Sequence, residues 1–308
     1  MVRAIGIHDS VAALFPPTVL AERLTDIDAT TRVVGTDEVD DVDALVTFEY
    51  DEAFLDAGLD WIHSVQAGID RFPLDKLEAR GISLTNSTGT HGDSVGETVA
   101  GMMLSFARRL HQYRSQQERT KWAWAEWDAP FTLSGCSLCV VGLGTLGRGI
   151  AARADALGMH VTGVKRTPTP VDHVETVHPS SELHEAISDA KFVALAVPLT
   201  DETEGLIGAE ELAAMRDDAV LVNVARGAVV DQPALVDALQ TDSLAGAALD
   251  VFETEPLPEP SPLWEMDEVI VTPHAAAATR DYPDRMAALV RENVRRIDAG
   301  ERLANHVV

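Results

Sequence analysis

Short apolar runs alternate with segments of helical periodicity along most of the chain. In the first hundred residues such runs predict strands at Ala4–His8, Ala44–Phe48, Trp61–Val65 and Ile82–Thr85. Segments with helical spacing of apolar residues, such as Thr18–Leu24, lie between these strands. Strands and helices that alternate in this way are typical of an α/β fold with a parallel sheet.

A second series of the same kind begins near residue 136. Ser137–Val141 predicts an apolar strand, a glycine-rich turn follows it, and Leu146–Leu157 predicts a helix that ends at Gly158. Further strands are predicted at His160–Val164, Phe192–Val197, Ala219–Val224, Ala245–Leu249 and Val269–Val271. Helices are predicted among them at Gly208–Met215 and Pro233–Gln240. The pattern therefore predicts two α/β halves.

The segments outside these series indicate how the halves are joined. A helical stretch, about Val95–Tyr113, connects them, and an arm that contains Trp122, Trp124 and Trp127 follows it. The segment Tyr282–Ile297 has the periodicity of one amphipathic helix. We expect this helix to return to the first half.

The composition limits the class of protein. At 308 residues the chain is long enough for about two domains, and its 46% hydrophobic content permits a full core. We find no uninterrupted apolar run of about 18 residues, and the first ten residues lack the charged and then apolar pattern of a signal peptide. Two cysteines are too few for a disulfide scaffold. We therefore expect a cytoplasmic protein that has no membrane partner.

The charge balance is strongly acidic. The chain has 50 Asp and Glu residues against 24 Lys and Arg residues, for a formal net charge of -26. Its lysines are Lys76, Lys121, Lys165 and Lys191. Because phosphate binding needs a basic face, we expect no nucleic-acid partner. An acidic chain with so little lysine is similar to proteins of halophilic organisms; an acidic mesophilic protein is the alternative.

The glycine-rich turn fits the pattern G-x-G-x-x-G, with Gly142, Gly144 and Gly147 at the glycine positions. The pattern is weak alone, but here it follows a predicted strand and opens a predicted helix, as a dinucleotide-binding turn requires. The glycines permit a tight turn, close approach of the backbone to a pyrophosphate, and packing of the helix on the strand. The helix N-terminus, at Thr145 and Leu146, offers N–H groups to the phosphates. A glycine turn without a ligand is the alternative.

The end of the next predicted strand bears on the choice between NAD and NADP. Proteins that bind NAD normally carry an acid there, which accepts a hydrogen bond from the ribose 2′-OH. This chain has Lys165, Arg166 and Thr167 instead. Two cations suit a 2′-phosphate, and arginine can bind it in a bidentate way. We therefore expect NADP(H) to be preferred, with NAD(H) possible; a solvated charged turn is the alternative.

Distinctive motifs accompany the glycine loop, at Ser64–Asp70, Phe192–Thr203, Val222–Asp231, Leu249–Pro256 and Val271–His274. In content and order they closely resemble the D-isomer-specific 2-hydroxyacid dehydrogenase family, and the resemblance covers nearly the whole chain. It implies two Rossmann- or flavodoxin-like domains with parallel sheets, the nucleotide domain being inserted into the substrate domain. We predict a substrate domain at residues 1–93 and 280–308 and a dinucleotide-binding domain at residues 94–279.

The resemblance also implies the site residues. It places the catalytic roles on Arg226, Glu255 and His274. The cofactor contacts that it adds to the glycine loop and to Lys165–Thr167 lie at Pro198, Thr203, Val224 and Asp250. We expect the substrate carboxylate to contact Arg226 and the backbone N–H groups of a loop formed by Val65, Gln66, Ala67 and Gly68. After His274 the chain has four alanines where many relatives have a glycine, which leaves the local loop shape open.

These residue types suit the reduction of a 2-oxo acid, which needs a hydride at C2 and a proton on the carbonyl oxygen. Histidine can donate that proton because its ordinary pKa lies near neutrality. A carboxylate such as Glu255 on the other ring nitrogen favours the imidazolium. The planar fork of Arg226 can bind the substrate carboxylate and polarise the carbonyl.

Two weaker signals remain. Cys136 and Cys139 form a C-x-x-C pattern, but a zinc site needs two more ligands, and side chains three residues apart on a strand face opposite ways. We therefore expect no metal. The tryptophans of the arm predict a homodimer contact, which the resemblance also implies, since aromatic residues are enriched at interfaces; ordinary core positions are the alternative.

The sequence leaves several functions open. The main prediction is an enzyme that reduces 2-oxo acids to D-2-hydroxy acids, reversibly, with a small-molecule 2-oxo or 2-hydroxy acid as its partner. Glyoxylate/hydroxypyruvate reductase and phosphoglycerate dehydrogenase are alternatives within the family. A nucleotide-sensing protein that resembles a transcriptional corepressor is the alternative outside enzymology, because fold alone does not fix function.

Overall fold

A computed structural model describes residues 2–308, which divide into two α/β units. The first unit consists of Met1–Thr90 and Ala278–Val308, and the second is the segment His91–Ala277. The second unit is thus inserted into the sequence of the first. Each unit has its own parallel sheet with helices packed on both faces, which confirms the predicted fold class.

The secondary structure alternates along most of residues 2–308. The strands are β1 (Ala4–His8), β2 (Thr30–Val34), β3 (Ala44–Thr47), β4 (Trp61–Ser64), β5 (Ser83–Thr85), β6 (Ser137–Val141), β7 (His160–Val164), β8 (Thr176–His178), β9 (Phe192–Leu195), β10 (Val220–Asn223), β11 (Gly246–Leu249) and β12 (Val269–Val271). The α-helices are α1 (Pro17–Arg23), α2 (Leu74–Arg80), α3 (Gly92–Ala107), α4 (Leu110–Glu118), α5 (Thr145–Ala156), α6 (Leu183–Ser188), α7 (Ala209–Ala214), α8 (Gln232–Gln240) and α9 (Tyr282–Ala299).

The sheet of the first unit has the strand order β2-β1-β3-β4-β5. This is the doubly wound order of flavodoxin-like folds, in which ligands bind beyond the carboxyl ends of the strands. Alternate residues of β3 enter different cores, since Ala44 and Val46 belong to one buried cluster and Leu45 to the other. Helix α9 covers the first of these faces with Met286, Val290 and other residues at helical spacing.

The sheet of the second unit has the order β12-β11-β10-β9-β6-β7-β8. Counted from β6, this is the Rossmann order 3-2-1-4-5-6 with one added strand. The direction of winding changes between β6 and β9, and dinucleotides bind at this switch point in such folds. The glycine-rich turn follows β6 and therefore lies at that point.

Two edge strands were missed by the sequence pattern. Strand β2 has only one fully buried residue, Val34, and β8 is three residues long with none. An edge strand packs one face against the core and has a single neighbouring strand, so it needs no continuous apolar run. The short helices α2 and α6 were missed as well, although α1 and α7, which are equally short, were predicted.

The predicted stretch Val95–Tyr113 is two helices rather than one. Helix α3 ends at Ala107 and α4 begins at Leu110. Between them Arg109 has a φ of 57°, in the left-handed region that an α-helix cannot continue through. The Arg109 side chain donates to the carbonyl of Ala129 at 3.4 Å, which connects the break to the arm that follows.

Helices α3 and α5 cross with almost no side chain between them. A β-carbon at Gly96 would lie 2.4 Å from the carbonyl oxygen of Gly149, and one at Gly149 would lie 1.9 Å from that of Gly92. Only glycine fits at such a crossing. The contact fixes α5, whose N-terminus follows the glycine-rich turn.

The arm between α4 and β6 contains neither helix nor strand. Its Trp122, Trp124 and Trp127 side chains are 98%, 90% and 91% exposed, so the alternative that these tryptophans belong to the core is wrong. Among residues 2–308 no helix is both long enough and apolar enough to cross a lipid bilayer.

Candidate active site

The predicted functional residues of the second unit lie at the carboxyl edge of its sheet. The glycine-rich turn follows β6, Lys165 follows β7, Pro198 lies beyond β9, Arg226 lies beyond β10, and His274 lies beyond β12. Because all these strands are parallel, their carboxyl ends meet at one edge. Parallel topology therefore explains why residues spread over more than a hundred positions are candidates for one site.

The glycine-rich turn requires glycine at two positions. Gly142 has a φ of 98°, which side chains rarely tolerate, and a β-carbon there would lie 2.7 Å from the carbonyl oxygen of Ala196. A β-carbon at Gly147 would lie 1.8 Å from the carbonyl oxygen of Gly142, so the helix packs directly on the turn. The turn is thus built by backbone packing.

Gly144 differs from these two glycines, because a β-carbon there would meet no described atom within 4 Å. It is exposed and precedes the first turn of α5, where Thr145 and Leu146 lie. No side chain caps the N-terminus of α5. Open space over a glycine beside uncapped helix N–H groups suits the pyrophosphate of a dinucleotide, so the residues present fit that cofactor.

The turn after β7 carries the two cations. Arg166 and Thr167 are exposed, and Lys165 is partly buried with its ammonium 3.0 Å from the Thr169 hydroxyl. The preceding strand residue Gly163 leaves room for Leu143 of the glycine-rich turn. The cations therefore lie on a loop that is tied to the glycine-rich turn by packing but is itself open to solvent.

The remaining predicted cofactor residues lie in the three loops that follow β9, β10 and β11. The Thr203 hydroxyl donates to the carbonyl of Pro198 at 2.6 Å and accepts from the Thr200 amide at 2.8 Å, which closes a tight turn after β9. Val224 is buried, and its side chain packs in the core between the sheet and α3 and α5. Any contact of Val224 with a nucleotide would therefore come from its backbone.

Arg226 is held by the backbone around it. The buried Asn223 at the end of β10 donates to the carbonyl of Arg226 at 3.0 Å and accepts from the amide of Ala225 at 3.0 Å. Next to Arg226, a β-carbon at Gly227 would lie 1.9 Å from the carbonyl carbon of Phe252. The arginine loop is thereby packed against the loop that leads to Glu255.

Glu255 and His274 form a hydrogen-bonded pair. The Nδ1 of His274 lies 2.8 Å from Oε2 of Glu255, and each side chain is about one-third exposed. The other carboxylate oxygen of Glu255 accepts from the amide of Phe252 at 3.1 Å. Because a carboxylate only accepts, Nδ1 must carry a proton, which leaves Nε2 as the atom that can give or take one.

The His274 loop is held by Asp250, which follows β11. One carboxylate oxygen accepts from the Thr272 hydroxyl at 2.6 Å and from the amide of Ala275 at 2.8 Å. The other accepts from the amide of Ala276 at 2.9 Å, and the Asp250 carbonyl accepts from the amide of His274 at 2.8 Å. Asp250 is only 2% exposed. This arrangement holds His274 at a φ of 52°, although the loop has no glycine.

The predicted substrate loop belongs to the first unit. Val65 follows β4 and is fully buried, and the partly buried Gln66, Ala67 and Gly68 continue beyond the carboxyl edge of that sheet. The loop thus has the position at a parallel sheet at which ligands bind in doubly wound folds. Its substrate-binding role stays a prediction.

Sequence reasoning missed the residues that hold the others in place. Asn223, Gly227 and Thr272 lie within or beside the recognised motifs, but none of them has a chemical role that marks it out. The signal available was their position, because each lies within three residues of a predicted site residue at a strand end.

The C-x-x-C pair lies apart from this edge. Cys139 is buried in β6, and burial raises the pKa of its thiol to about 12. Burial also raises the pKa of Cys136. Among residues 2–308 no group of three His, Cys, Asp or Glu side chains is arranged to hold a metal ion.

Comparison with known proteins agrees with this architecture. Residues 100–276, more than half of the chain, match the family described as D-isomer specific 2-hydroxyacid dehydrogenase, NAD binding domain. A glyoxylate reductase from Korarchaeum cryptofilum is 35% identical over 283 residues, with 88% of this chain and 84% of that protein covered.

Two further relatives extend the comparison. A D-3-phosphoglycerate dehydrogenase from Methanocaldococcus jannaschii is 36% identical over 242 residues, or 78% of this chain, which spans only 46% of that protein. A solved 2-hydroxyacid dehydrogenase from Xanthobacter autotrophicus Py2, in complex with NADPH and MES, superposes with a TM-score of 0.83 at 30% identity, covering 100% of this chain and 98% of that one. This chain belongs to the D-isomer specific 2-hydroxyacid dehydrogenase family.

Proposed function

We propose that this protein reduces 2-oxo acids to D-2-hydroxy acids and catalyses the reverse reaction, with NADP(H) as its preferred cofactor and NAD(H) also accepted. The observation that carries the proposal is the Glu255–His274 pair, with 2.8 Å between Oε2 and Nδ1, at the same sheet edge as the glycine-rich turn. An orienting carboxylate on one ring nitrogen leaves the other available for acid–base chemistry. The names of the glyoxylate reductases among the relatives support the same reaction class.

In the proposed reduction, His274 donates the proton from Nε2 to the carbonyl oxygen of the substrate. Glu255 orients the ring through Nδ1 and stabilises the imidazolium by its negative charge. The bonds from the backbone to Asp250 keep the His274 loop in place while the proton moves. In the reverse direction the same Nε2 accepts the proton of the hydroxyl group.

Arg226 binds the substrate carboxylate and draws electron density from the carbonyl in this proposal. A guanidinium matches both oxygens of a carboxylate and stays charged at working pH. Asn223 and Gly227 fix the backbone that presents it. The N–H groups of Ala67 and Gly68 are the second proposed contact for the substrate carboxylate. The prediction for Val65 and Gln66 is wrong, because their amides already donate to the carbonyl of Thr47 at 3.0 Å and to the Ser64 hydroxyl at 3.2 Å.

The cofactor would supply the hydride when bound. Gly142, Gly144, Thr145, Leu146 and Gly147 would hold its pyrophosphate, because this turn combines open space with helix N–H groups. We assign the remaining contacts to residues at the neighbouring strand ends: Lys165, Arg166, Thr167, Pro198, Thr203, Val224 and Asp250. The Asp250 carboxylate already accepts three hydrogen bonds, so its contact with the nicotinamide amide would use the remaining acceptor capacity of that group.

The cofactor preference rests on Lys165 and Arg166. Both follow the strand whose end selects between the 2′-OH and the 2′-phosphate in folds of this type. A chain with a net charge of -26 and four lysines has one of those lysines beside an arginine at this loop, which favours an anionic ligand there. The relative from Xanthobacter autotrophicus Py2 was solved in complex with NADPH.

A turnover assay tests the main proposal. Purified protein is assayed at fixed KCl with glyoxylate, pyruvate, hydroxypyruvate, 3-phosphohydroxypyruvate and longer 2-oxo acids, each with NADPH and with NADH, and the product is resolved by chiral chromatography. We expect a D-2-hydroxy acid and a higher kcat/KM with NADPH. Binding of NADPH without turnover of any 2-oxo acid would favour the corepressor-like alternative. A strong preference for the phosphorylated substrate would favour phosphoglycerate dehydrogenase.

We also propose that the protein is a homodimer held by the tryptophan arm. Trp122 and Trp124 line a groove of about 750 Å³ together with Tyr113 and Gln116, and Trp127 is exposed nearby in the same arm. Large aromatic side chains are rarely left in water and are enriched at interfaces, and the arm of a second copy is a self-complementary occupant.

Sedimentation velocity should give a dimer for the wild type and a monomer after Trp122→Ser, Trp124→Ser and Trp127→Ser together. Trp264→Ser, an exposed tryptophan outside the arm, is the control.

The acidic surface leads to a third proposal, that the protein is adapted to high salt. At 0.1 M salt the Debye length is about 10 Å, and it falls to about 3 Å at 1 M, so repulsion within a highly charged chain weakens. We expect the melting temperature and the activity to rise as KCl increases into the molar range. Equal stability in dilute buffer would contradict this adaptation.

A further inference from the structure

Three of the four peptide oxygens of the substrate loop in the first unit accept hydrogen bonds from residues of that unit. The hydroxyl of Tyr282, on α9, donates to the carbonyl of Val65 at 2.7 Å. The amide of Ser87 donates to the carbonyl of Gln66 at 3.0 Å, and the Asn86 side chain donates to the carbonyl of Ala67 at 2.8 Å. Three successive carbonyl groups are therefore held by three donors.

This arrangement fixes the direction of the N–H groups. In a trans peptide the C=O of one residue and the N–H of the next point in opposite directions. Because Ser87 holds the carbonyl of Gln66, the N–H of Ala67 must point away from the core. The bond from Asn86 to the carbonyl of Ala67 imposes the same direction on the N–H of Gly68. Within residues 2–308 neither of these two amides has an intramolecular acceptor.

The donor atoms are themselves fixed. Asn86 is 9% exposed, and its side-chain oxygen accepts from the amide of Thr88 at 3.1 Å. That contact decides which end of the side chain is the NH2 group, so the NH2 group faces Ala67. The Asn305 side chain donates to the backbone carbonyl of Asn86 at 3.0 Å, which holds the residue from the other side.

A buried polar network lies beneath Asn86 and Ser87. Trp61 donates to the Thr85 hydroxyl at 2.8 Å, and that hydroxyl lies 2.8 Å from Nδ1 of His63. On the other side of the ring, Nε2 lies 3.4 Å from the Ser87 hydroxyl, which donates to the carbonyl of Ser64 at 2.9 Å. Every proton has an acceptor if His63 is neutral and protonated on Nε2. The strand ends that hold the loop are thus rigid.

We propose that Asn86 and Tyr282 are positioning residues, which hold the loop from Val65 to Gly68 so that the N–H groups of Ala67 and Gly68 face the carboxylate of a 2-oxo acid. The proposal rests on the proposed function, because it gives a structural cause for the carboxylate binding assigned to this loop. Two parallel N–H groups match the two oxygens of a carboxylate. Neither residue need touch the substrate.

Asn86→Asp is the sharpest test, because it preserves the shape of the side chain and replaces its NH2 donor with an oxygen. At neutral pH two oxygens would then face each other, and the peptide between Ala67 and Gly68 should turn. We expect the KM for the 2-oxo acid to rise about tenfold or more, as for loss of a hydrogen bond to a charged group. The kcat should change less than threefold, and the KM for NADPH less than twofold, about the precision of such measurements, because the affected contact is with substrate.

The same variant offers a readout that a purely structural role would not move. Burial at this 9% exposed position, against the carbonyl oxygen of Ala67, should raise the pKa of the introduced carboxyl group, and once protonated that group can donate to Ala67 again. The KM of the variant should therefore fall back toward the wild-type value as the pH is lowered toward 5, while the wild-type KM shows no such recovery.

Tyr282→Phe tests the second residue by removing one hydroxyl group. We expect the KM for the 2-oxo acid to rise about threefold to tenfold, since one neutral hydrogen bond is lost. Tyr50→Phe is its matched control, because the Tyr50 hydroxyl is buried in the same unit and has no hydrogen-bond partner within residues 2–308. That variant should have the wild-type KM.

Asn293→Asp is the matched control for Asn86→Asp. Asn293 is a buried asparagine of the same unit whose NH2 group also donates to a backbone carbonyl, that of Ala304, at 3.3 Å. It should lower the melting temperature without raising the KM for the 2-oxo acid. If Asn86→Asp fails to fold, the Tyr282→Phe and Tyr50→Phe pair decides the question.

The possible results distinguish a failure of the proposed function from a failure of the positioning roles of Asn86 and Tyr282. A wild type that reduces no 2-oxo acid overturns the proposed function and this inference with it. A wild type that turns over, with an unchanged KM in Asn86→Asp or in Tyr282→Phe, overturns this inference alone. A KM that rises equally in Asn293→Asp and Asn86→Asp also overturns it, because the effect would then follow general destabilisation.

Discussion

Two loops at the carboxyl edge of the second sheet are built in opposite ways. The loop that carries His274 is held by the buried carboxylate of Asp250, which accepts three hydrogen bonds from it. The loop that carries Lys165 and Arg166 is largely exposed, with one side-chain hydrogen bond from Lys165 to Thr169. A proton transfer depends on donor and acceptor geometry, whereas attraction between a cation and a phosphate falls off slowly with distance. The comparison indicates that rigidity is concentrated where the chemistry needs it.

The largest expected effect comes from the rigid loop. His274→Ala should lower kcat about 10²- to 10⁴-fold, the usual contribution of a general acid, and leave the Kd for NADPH nearly unchanged. Pre-steady-state and steady-state kinetics at fixed KCl measure the two quantities. His160→Ala is the control, since His160 pairs with Glu175 on the exposed surface. A kcat within tenfold of the wild type would remove His274 from the acid–base role.

Asp250→Asn should have the next largest effect. The new NH2 group would face one of the backbone amides that the carboxylate now accepts from, and a buried donor left unpaired costs about 1–3 kcal/mol. We expect a kcat about ten- to a hundredfold lower, with a lower melting temperature. Thr272→Val removes one donor to Asp250 and keeps the carboxylate, so it should reproduce part of the loss in kcat. If Asp250 acted only by contact with the nicotinamide, Thr272→Val would have wild-type kinetics.

Acid should lower the free energy of unfolding through the buried side chain of His63. Burial lowers the pKa of His63 to about 4, against 6.5 for the unfolded chain. Below pH 6.5 the unfolded state binds a proton that the folded state cannot, so stability is lost as the pH falls toward 4. Between pH 7 and 5 this one group should cost about 2 kcal/mol of unfolding free energy.

Denaturant unfolding at the two pH values measures that slope. His63→Gln should be less stable at pH 7 and should lose less between pH 7 and 5, because its side chain does not titrate. His160→Gln removes an exposed histidine and should keep the wild-type slope. Equal slopes for His63→Gln and the wild type would show that another group carries the acid sensitivity.

The two loops also differ in how far the sequence predicted them. The glycine-rich turn, Lys165 and the expected hydrogen bond between Glu255 and His274 followed from side chains in recognisable motifs. The role of Asp250 in holding its loop could not follow from a motif, because its partners include the backbone amides of Ala275 and Ala276. Backbone donors leave no mark in a sequence. The catalytic roles themselves stay predictions.

In the fold as well, features that depend on apolar side-chain patterns were predicted, whereas features that depend on the surrounding structure were not. Buried strands such as β6 and β9 were predicted from apolar runs, whereas the edge strands β2 and β8 had no such run. The break between α3 and α4 depends on the left-handed conformation of Arg109, a residue type with no preference for it. Neither feature follows from local propensity, since each is set by what surrounds the segment.

Changing the charge of the exposed loop should alter the kinetics less than the substitutions at His274 and Asp250. We expect Lys165→Asp with Arg166→Ala to lower the preference for NADPH over NADH about tenfold, below the full value of two charge-assisted contacts because solvent and salt screen the site. Paired kinetics with both cofactors give the ratio, and the range of 2-oxo acids should stay the same. Lys76→Asp with Arg80→Ala makes the same charge change in the other unit and should leave the ratio unchanged. A double variant that keeps its preference would move cofactor selection to Thr167 or to the glycine-rich turn.

The smallest expected effect separates electrostatic attraction from contact geometry in the exposed loop. A hydrogen bond from the Thr200 hydroxyl lowers the pKa of Glu202, and the charge of Arg166 lowers it further, so Glu202 is ionised within electrostatic reach of Arg166. Its charge would oppose a 2′-phosphate bound at that arginine. Glu202→Gln should therefore lower the KM for NADPH about twofold, the scale of an exposed charge pair, and leave the KM for NADH unchanged. The gain should shrink as KCl rises, because exposed charges are screened. Glu204→Gln removes an exposed acid two residues away and is the control for net charge. An equal gain with NADH, or one that persists at high salt, would mean that Glu202 acts through the shape of the turn after β9.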